Sequence, residues 1–331
     1  MSDQPRQVQI IIANIASGTS VFLNFLLLPI IYFHSSKFIG QYKYFLLMYT
    51  TTGMLYSATY LLCIPMFHHS AEALYIYGER FLVSRAVGNV LIYLFIWLYG
   101  LLNIVICVSF IYRYVLTCRP DWPSSCSPRT GKGLFVFLLL FVFIWLSLTV
   151  GIDVSNKEAD TALEKDTLES FNRSIYTISY IGGPINIDGR PYWPPKVAMA
   201  SYSILLTVGY TAISVVAYKT YKELMSVVSI SSEHHRYQKT LFLLLCFQTV
   251  CPFIFHFIPG TIITVITFFD THTGIHTYCS MVMTFSQVID PIMIVWTVKD
   301  YRNAVLGFVL GPINGWKPPS RILPISSSGP Q

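Results

Sequence analysis

Charge is scarce in this chain. Only 11% of its 331 residues are Asp, Glu, Lys or Arg, against roughly a quarter in an ordinary soluble domain, while 53% are hydrophobic. So little charge points to a membrane protein. Catalytic signatures are lacking too: zinc-protease helices, P-loops, G-x-S-x-G elbows and nucleotide-binding glycine patterns are all absent, so catalysis finds no support. Cys118 and Cys126 have the spacing of a metal pair, but no further Cys or His stands near them. No metal and no cofactor is expected. An intramembrane aspartyl enzyme needs two embedded carboxylates, and Asp290 is alone.

What is present is apolar length. Seven windows run from Ile10 to Tyr32, Tyr44 to Met66, Val87 to Tyr112, Gly133 to Ile152, Val197 to Tyr218, Leu241 to Phe268 and Ile275 to Val298. Each is long enough to cross about 30 Å of hydrocarbon at about 1.5 Å per residue. The short alternating segments of a β-barrel are missing, which leaves helices as the spanning solution. The first window lacks a basic run before it and a cleavage site after it, so it reads as a retained span. The expected fold is an all-α membrane protein, a seven-transmembrane helix bundle over residues 10–298, with a short N-terminal segment at 1–9.

Lys and Arg counts in alternate loops set the orientation. Fourteen of the 22 follow spans one, three, five and seven, and eight lie on the other side. The N-terminus is thus expected outside and the C-terminus in the cytoplasm. Acidic residues agree, with eleven outside, four inside and Asp290 within a span. The long outer loop, 153–196, holds seven of them and the only glycosylation sequon, Asn172-Arg173-Ser174. No cysteine falls in an outer segment, so no outer disulfide is expected. His68-His69 and His234-His235, as adjacent pairs on a helix, point about 100° apart and read as interfacial residues rather than chelators. Beyond the last span, 299–310 reads as a short amphipathic helix and 311–331 as a disordered tail.

The last span contains VIDPIMIVWTVKDYR, Val288 to Arg302. Asp290 lies roughly 12 Å along a helix from Lys299, a depth at which an ionised side chain costs a few kcal/mol. Pro291 removes a backbone donor and kinks the helix. Span six carries Pro252 and Pro259. Jointed helices suit a bundle that switches between packings, although prolines also shape rigid bundles. Arg113, between Tyr112 and Tyr114 at the inner end of span three, reads either as a latch or as a snorkelling anchor.

Several stretches resemble a family. Phe38-Ile39-Gly40-Gln41-Tyr42-Lys43-Tyr44 and Met54-Leu55-Tyr56-Ser57 look like the first-loop and span-two signature of the nematode serpentine chemoreceptors of the Str superfamily. Ile178-Ser179-Tyr180-Ile181-Gly182 is similar to their long-loop pattern. So are Gln238-Lys239-Thr240-Leu241-Phe242 with Gln248 and Pro252, and Asp290-Pro291 with Lys299-Asp300-Tyr301-Arg302. The matches spread from about residue 38 to 302. The resemblance implies a sensory G-protein-coupled receptor for small, often volatile molecules, on the plasma membrane of chemosensory neuron cilia. Its partners would be an odorant, a heterotrimeric G protein and membrane lipid, with no nucleic acid. Compared with the wider rhodopsin-like receptors, no Asp precedes Arg113, the span-three and outer-loop cysteines are missing, and Asp290 and Ile294 replace the usual Asn and Tyr.

A small ligand needs a mostly apolar pocket with a few polar groups. Candidates in the outer halves are Asn89, Tyr93 and Trp97 on span three, with Tyr202 on span five. His256 and Thr264 on span six, and His276, Met281 and Phe285 on span seven, complete the set. His256 reads either as a neutral core histidine or as the polar anchor for a ligand carbonyl. No outer-half carboxylate is evident, so the ligand is expected to be neutral. On the inner side Arg113, Lys219, Lys222, Arg236, Lys239 and the Lys299 helix form the expected partner surface, although basic loops equally satisfy topology and anionic lipid. The other reading is a secondary transporter with Asp290 as ion or proton site. It lacks an internal repeat.

Overall fold

The computed structural model describes residues 3–37, 39–80, 84–118, 140–141, 143–151, 157–187, 189–226, 233–269 and 274–314. Its helices are α1 (Asp3–His34), α2 (Tyr42–Cys63), α3 (Arg85–Cys118), α4 (143–151), α5 (Lys157–Phe171), α6 (Trp193–Ser226), α7 (Glu233–Pro252), α8 (Ile258–Phe268), α9 (Ile275–Thr297) and α10 (Lys299–Asn314). A π-helical turn, Phe253–Phe257, makes α7 and α8 one continuous rod. Five of the described helical rods, α1, α3, α6, α7 with α8, and α9, are long and apolar enough to cross a membrane.

The second window behaves differently. α2 carries five tyrosines and the run Thr50-Thr51-Thr52, and its buried face is built largely from Tyr49, Thr50, Tyr56 and Tyr60 packed between α1 and α3. Of their hydroxyls, those of Tyr49 and Tyr60 find partners on α9, at Asp290 and Thr284. Much of the fourth window, Gly133–Ile152, lies outside the described residues, and its described part is helical. The His234-His235 side chains and residues 315–331 of the tail also lie outside them, while 311–314 belong to α10.

The chain is not all-α. Ile64 takes a left-handed conformation (φ 44°) that ends α2, so Met66, expected inside span two, stands in a strand. Strands β1 (Pro65–His69), β2 (Ala73–Gly78) and β3 (Tyr180–Pro184) form an antiparallel sheet in the order β1-β2-β3, with His69 opposite Leu74 and Tyr77 opposite Tyr180. β4 (Asn186–Ile187) and β5 (Arg190–Pro191) form a small second hairpin. The physical reason is backbone accounting: loops pressed onto the bundle bury N–H and C=O groups, and pairing segments far apart in sequence satisfies them. The loop expected over 153–196 is therefore an ordered cap of α5, a 3-10 turn and β3.

The stretch Ile178 to Gly182 docks this cap. Tyr180 N donates to Asn89 Oδ1 at 3.0 Å and Ser179 Oγ donates to the Arg85 carbonyl at 3.2 Å. Gly88 is the position where α3 meets Ser179; a Cβ there would overlap the serine side chain. Gly182 has φ +135°, and a Cβ on it would stand 2.5 Å from the Leu74 carbonyl oxygen, so only glycine suits both backbone and space. Asp160 on α5 pairs with Arg85 at 2.7 Å and accepts from the Tyr180 hydroxyl at 2.6 Å. Burial opposes its charge, but those hydrogen bonds and the Arg85 charge hold the carboxyl below the usual range.

His68 and His69 stand on a strand and not on a helix. Both are buried in β1, where His68 Nε2 meets Asp166 of α5 at 2.9 Å and the Tyr75 hydroxyl donates to the same oxygen at 3.2 Å. Burial again opposes charge on Asp166, and the hydrogen bond and charge of His68 outweigh it, lowering its pKa. At the opposite end of the bundle, Leu46, Phe110, Leu241, Leu245, Ile294 and Tyr301 are part of the largest apolar cluster. Tyr301 shares a hydrogen bond with Ser35 at 2.8 Å, and the Tyr237 hydroxyl donates to Asp300 at 2.9 Å, so α10 is tied to the ends of α1 and α7.

Candidate functional site

Under the sheet lies a cavity of about 110 Å³. Phe67 and Ile76 of the sheet roof it, and Tyr56, Phe95, Tyr99, Tyr202, His256 and Met283 are among its walls. No Asp, Glu, Lys or Arg lines it. The hydroxyl of Tyr56 is buried without a hydrogen-bond partner among the described residues, while those of Tyr99 and Tyr202 are buried beside Asn103 and Tyr210 and beside Thr149, respectively. Three phenol donors around a small aromatic chamber can hold an acceptor atom and stack on its apolar remainder.

His256 enters the chamber because of the proline before it. Pro252 cannot donate to the Gln248 carbonyl, and the helix accommodates the fault as the π-helical turn at 253–257. His256 Nε2 lies 2.5 Å from Ser286 Oγ on α9, and its ring centroid lies 4.9 Å from that of Tyr99. Span-six backbone irregularity thus becomes a polar link to span seven.

Tyr56, Tyr99 and His256 also border a second cavity of about 30 Å³, which continues toward Asp290. Asp290 Oδ2 accepts from the Tyr49 hydroxyl at 2.7 Å, which joins α9 to α2. Pro291 leaves the Gln287 carbonyl without its helical donor, and Ser20 of α1 supplies one at 2.6 Å while sharing a second hydrogen bond with Ser57 at 2.8 Å. Higher up, Thr284 meets the Tyr60 hydroxyl at 3.0 Å. α9 therefore carries a polar ladder that touches α1, α2 and the π-helical turn.

Beyond the ladder lies Arg113, 2% exposed. Its guanidinium carbon sits 4.2 Å from the centroid of the Tyr42 ring, and Nη1 donates to Gln238 Oε1 near the start of α7. The Tyr42 hydroxyl also interacts with the guanidinium, and Arg113 makes no ion pair among the described residues. One buried cation, held by neutral partners, thus pins α3 to α2 and α7.

Comparison with known proteins accounts for this architecture. Residues 9–306 match the family model of the serpentine type 7TM GPCR chemoreceptor Str. The chain belongs to that family. It is 21% identical over 300 residues to serpentine receptor class r-10 of Caenorhabditis elegans, covering 84% of each chain. Against the Caenorhabditis briggsae protein of the same name the identity is 21% over 291 residues, covering 82% of each. It is 22% identical over 317 residues to G-protein coupled receptor str-33 of C. elegans, covering 92% of this chain and 91% of that one. The family is a class of multi-pass membrane receptors, not of enzymes.

Within this Str receptor the residues singled out from sequence divide. Tyr202, His256 and Thr264 line the larger cavity. Trp97 and Phe285 do not; they are 40% and 44% exposed on the outside of the bundle. Asn89 is spent on β3, Tyr93 packs in a cluster with Ile92, Ile96 and Ile181, and His276 stands beside His68 and His69. Met281 is half-buried away from the lining, which takes Met283 instead. Pro252, Asp290 and Pro291 act in the ladder, whereas Pro259 lies buried at the start of α8. Tyr112 packs on Phe45 at 5.0 Å, and Tyr114 is half-buried. Lys219, Lys222, Arg236, Lys299 and Arg302 are exposed around the α10 end; Lys239 is half-buried.

Tyr42, Tyr49, Tyr56, Tyr99, Gln238 and Ser286 were not named as site residues. A signal existed for three: Tyr42, Tyr56 and Gln238 stand in the stretches that carried the family resemblance. For Tyr49 and Tyr99 none was available, because alternation of Tyr with apolar residues along α2 and α3 does not say which neighbour they face.

Proposed function

We propose that this receptor detects a small neutral molecule bearing a hydrogen-bond acceptor, such as a carbonyl, and relays binding to a heterotrimeric G protein. The observation that carries the reading is the uncharged, aromatic cavity walled by three phenols, of which the Tyr56 hydroxyl has no hydrogen-bond partner among the described residues. At about 110 Å³ it is somewhat smaller than an engineered cavity of about 150 Å³ that holds benzene, which favours small and hence volatile ligands. An amine would meet no carboxylate among the lining residues.

The sheet end faces outside in this reading and the α10 end faces the cytoplasm, as the distribution of Lys and Arg favours. The host membrane is that of chemosensory neuron cilia. A ligand pressing on His256 moves the π-helical turn against Ser286; α9 then shifts at its Pro291 joint, and the Asp290–Tyr49 contact carries the change toward Arg113. Release of Arg113 from Gln238 opens the α10 end to the G protein, which meets Lys219, Lys222, Arg236 and Lys299. Nothing comparable supports a carrier, because the cavity next to Asp290 has room for about one water.

The test is an odorant panel read by calcium imaging in cells expressing the chain. Small ketones, esters or aldehydes should evoke responses that Tyr56→Phe, Tyr99→Phe or Tyr202→Phe weakens at equal surface expression. Best activation by an amine, or responses untouched by all three variants, overturns the ligand class.

A further inference from the structure

A larger cavity than the one under the sheet lies elsewhere. A groove of about 560 Å³ opens on the outside of the bundle where α1, α9 and α10 meet. Its walls are Leu27 and Ile30 of α1, Ile292 and Val295 of α9, and Val305 and Phe308 of α10, among other apolar side chains. Pro29 of α1 and Pro291 of α9 both stand in its wall. Nothing polar reaches the groove except at one rim, where His34 and Arg302 stand.

We infer that this groove binds an anionic phospholipid, with an acyl chain between α1 and α9 and its phosphate on Arg302. The volume falls in the range of specific small-molecule sites, about 300–1,000 Å³. The walls run along helices that span the bilayer, so hydrocarbon is the neighbour at that depth. α10 lies where those spans end, which sets Arg302 at headgroup level. Trp296, 70% exposed on the same wall, has the amphipathic character of a residue at the membrane boundary.

Charge decides the headgroup. Arg302 stands at the rim of the groove, is exposed and donates through Nη1 to the Trp296 carbonyl at 3.2 Å, which holds the side chain beside Trp296 and leaves other donors of its fork for a headgroup. A phosphate accepts from such a fork in bidentate fashion, and a second, anionic headgroup charge adds to the attraction. The site is independent of the odorant cavity, so it stands whatever ligand the receptor detects.

Trp296 reports on its own occupant. The receptor is placed in nanodiscs containing increasing fractions of phosphatidylserine or phosphatidylcholine brominated in the acyl chain, and the Trp296 signal is obtained by difference against Trp296→Phe. Half-maximal quenching should need about five-fold less of the anionic lipid, the ratio expected for one basic residue at an anionic headgroup. Arg302→Gln should bring the two lipids together, while Lys299→Gln, outside the groove, should leave the preference in place. Equal quenching by both lipids in the native chain means annular lipid only and overturns the site. A preference that survives Arg302→Gln overturns the phosphate contact.

Discussion

Replacing Gln238 by Ala should make the receptor active without ligand. In the structure Arg113 is 2% exposed, and its guanidinium rests on the Tyr42 ring and donates to Gln238. A hydrogen bond to a charged group contributes about 1.5–3 kcal/mol, whereas a cation–π contact contributes about 0.5–2 kcal/mol. Losing the acceptor leaves the buried cation with the weaker of the two, and the closed packing loses about 1.5–3 kcal/mol relative to one in which Arg113 reaches water. At about 1.4 kcal/mol per decade this is a ten-fold to hundred-fold shift. A resting population of about 0.1% open, within the range of minor states, would rise to roughly 1–10%. Basal nucleotide exchange on a co-expressed G protein, at matched surface density, measures that rise. Gln238→Glu should act oppositely, because a charged acceptor holds Arg113 harder and lowers agonist potency. Unchanged basal exchange in Gln238→Ala would refute the idea that this contact holds the closed state.

Three further outcomes are expected. A Cβ at Gly100 would overlap the Trp145 indole, whose ring centroid lies 4.2 Å from that of Tyr202 on the cavity wall. Gly100→Ala should therefore cost about 1–3 kcal/mol, lower Tm by about 2–4 °C per kcal/mol, and reduce ligand response; unchanged melting curves would contradict the packing described. Asp160 and Asp166 both titrate below their ordinary value, so their stabilisation is complete above about pH 4 and is lost as pH falls through the lower folded value. Melting in detergent should show a cap-linked decline below about pH 4 that Asp160→Asn and Asp166→Asn flatten, and a decline centred near pH 6 that both variants abolish would be the wrong sign of coupling. Asn172 is exposed with φ 55° just after α5, accessible to a glycosyl transferase if the sheet end is luminal during synthesis. Asn172→Gln should then remove one endoglycosidase-sensitive band shift in gels, and an identical mobility would put that end on the cytoplasmic side.

The neighbourhood of Asp290 shows how far reading along the chain carries. That a carboxylate and a proline sit deep in the last span follows from spacing to Lys299 alone. That Pro291 orphans the Gln287 carbonyl follows from covalent geometry. Which residue answers it does not: Ser20 is 267 positions away. Trp97 and Phe285 illustrate the opposite failure. In a helix apolar on every side no periodicity separates the lipid face from the core, so choosing ligand residues by type and depth took two that face outward.

Membrane-spanning character needed only the chain itself, because the length and apolarity of each window are local quantities and hydrocarbon admits few backbone solutions. The same holds for the jointed spans and for the basic amphipathic segment after Val298. Tertiary structure alone decided that the long loop is an ordered cap, that a π-helical turn delivers His256 to Ser286, and that Arg113 rests between Tyr42 and Gln238. Each of these depends on groups that satisfy one another across large sequence separations, and a buried donor or cation says that it needs a partner without saying which.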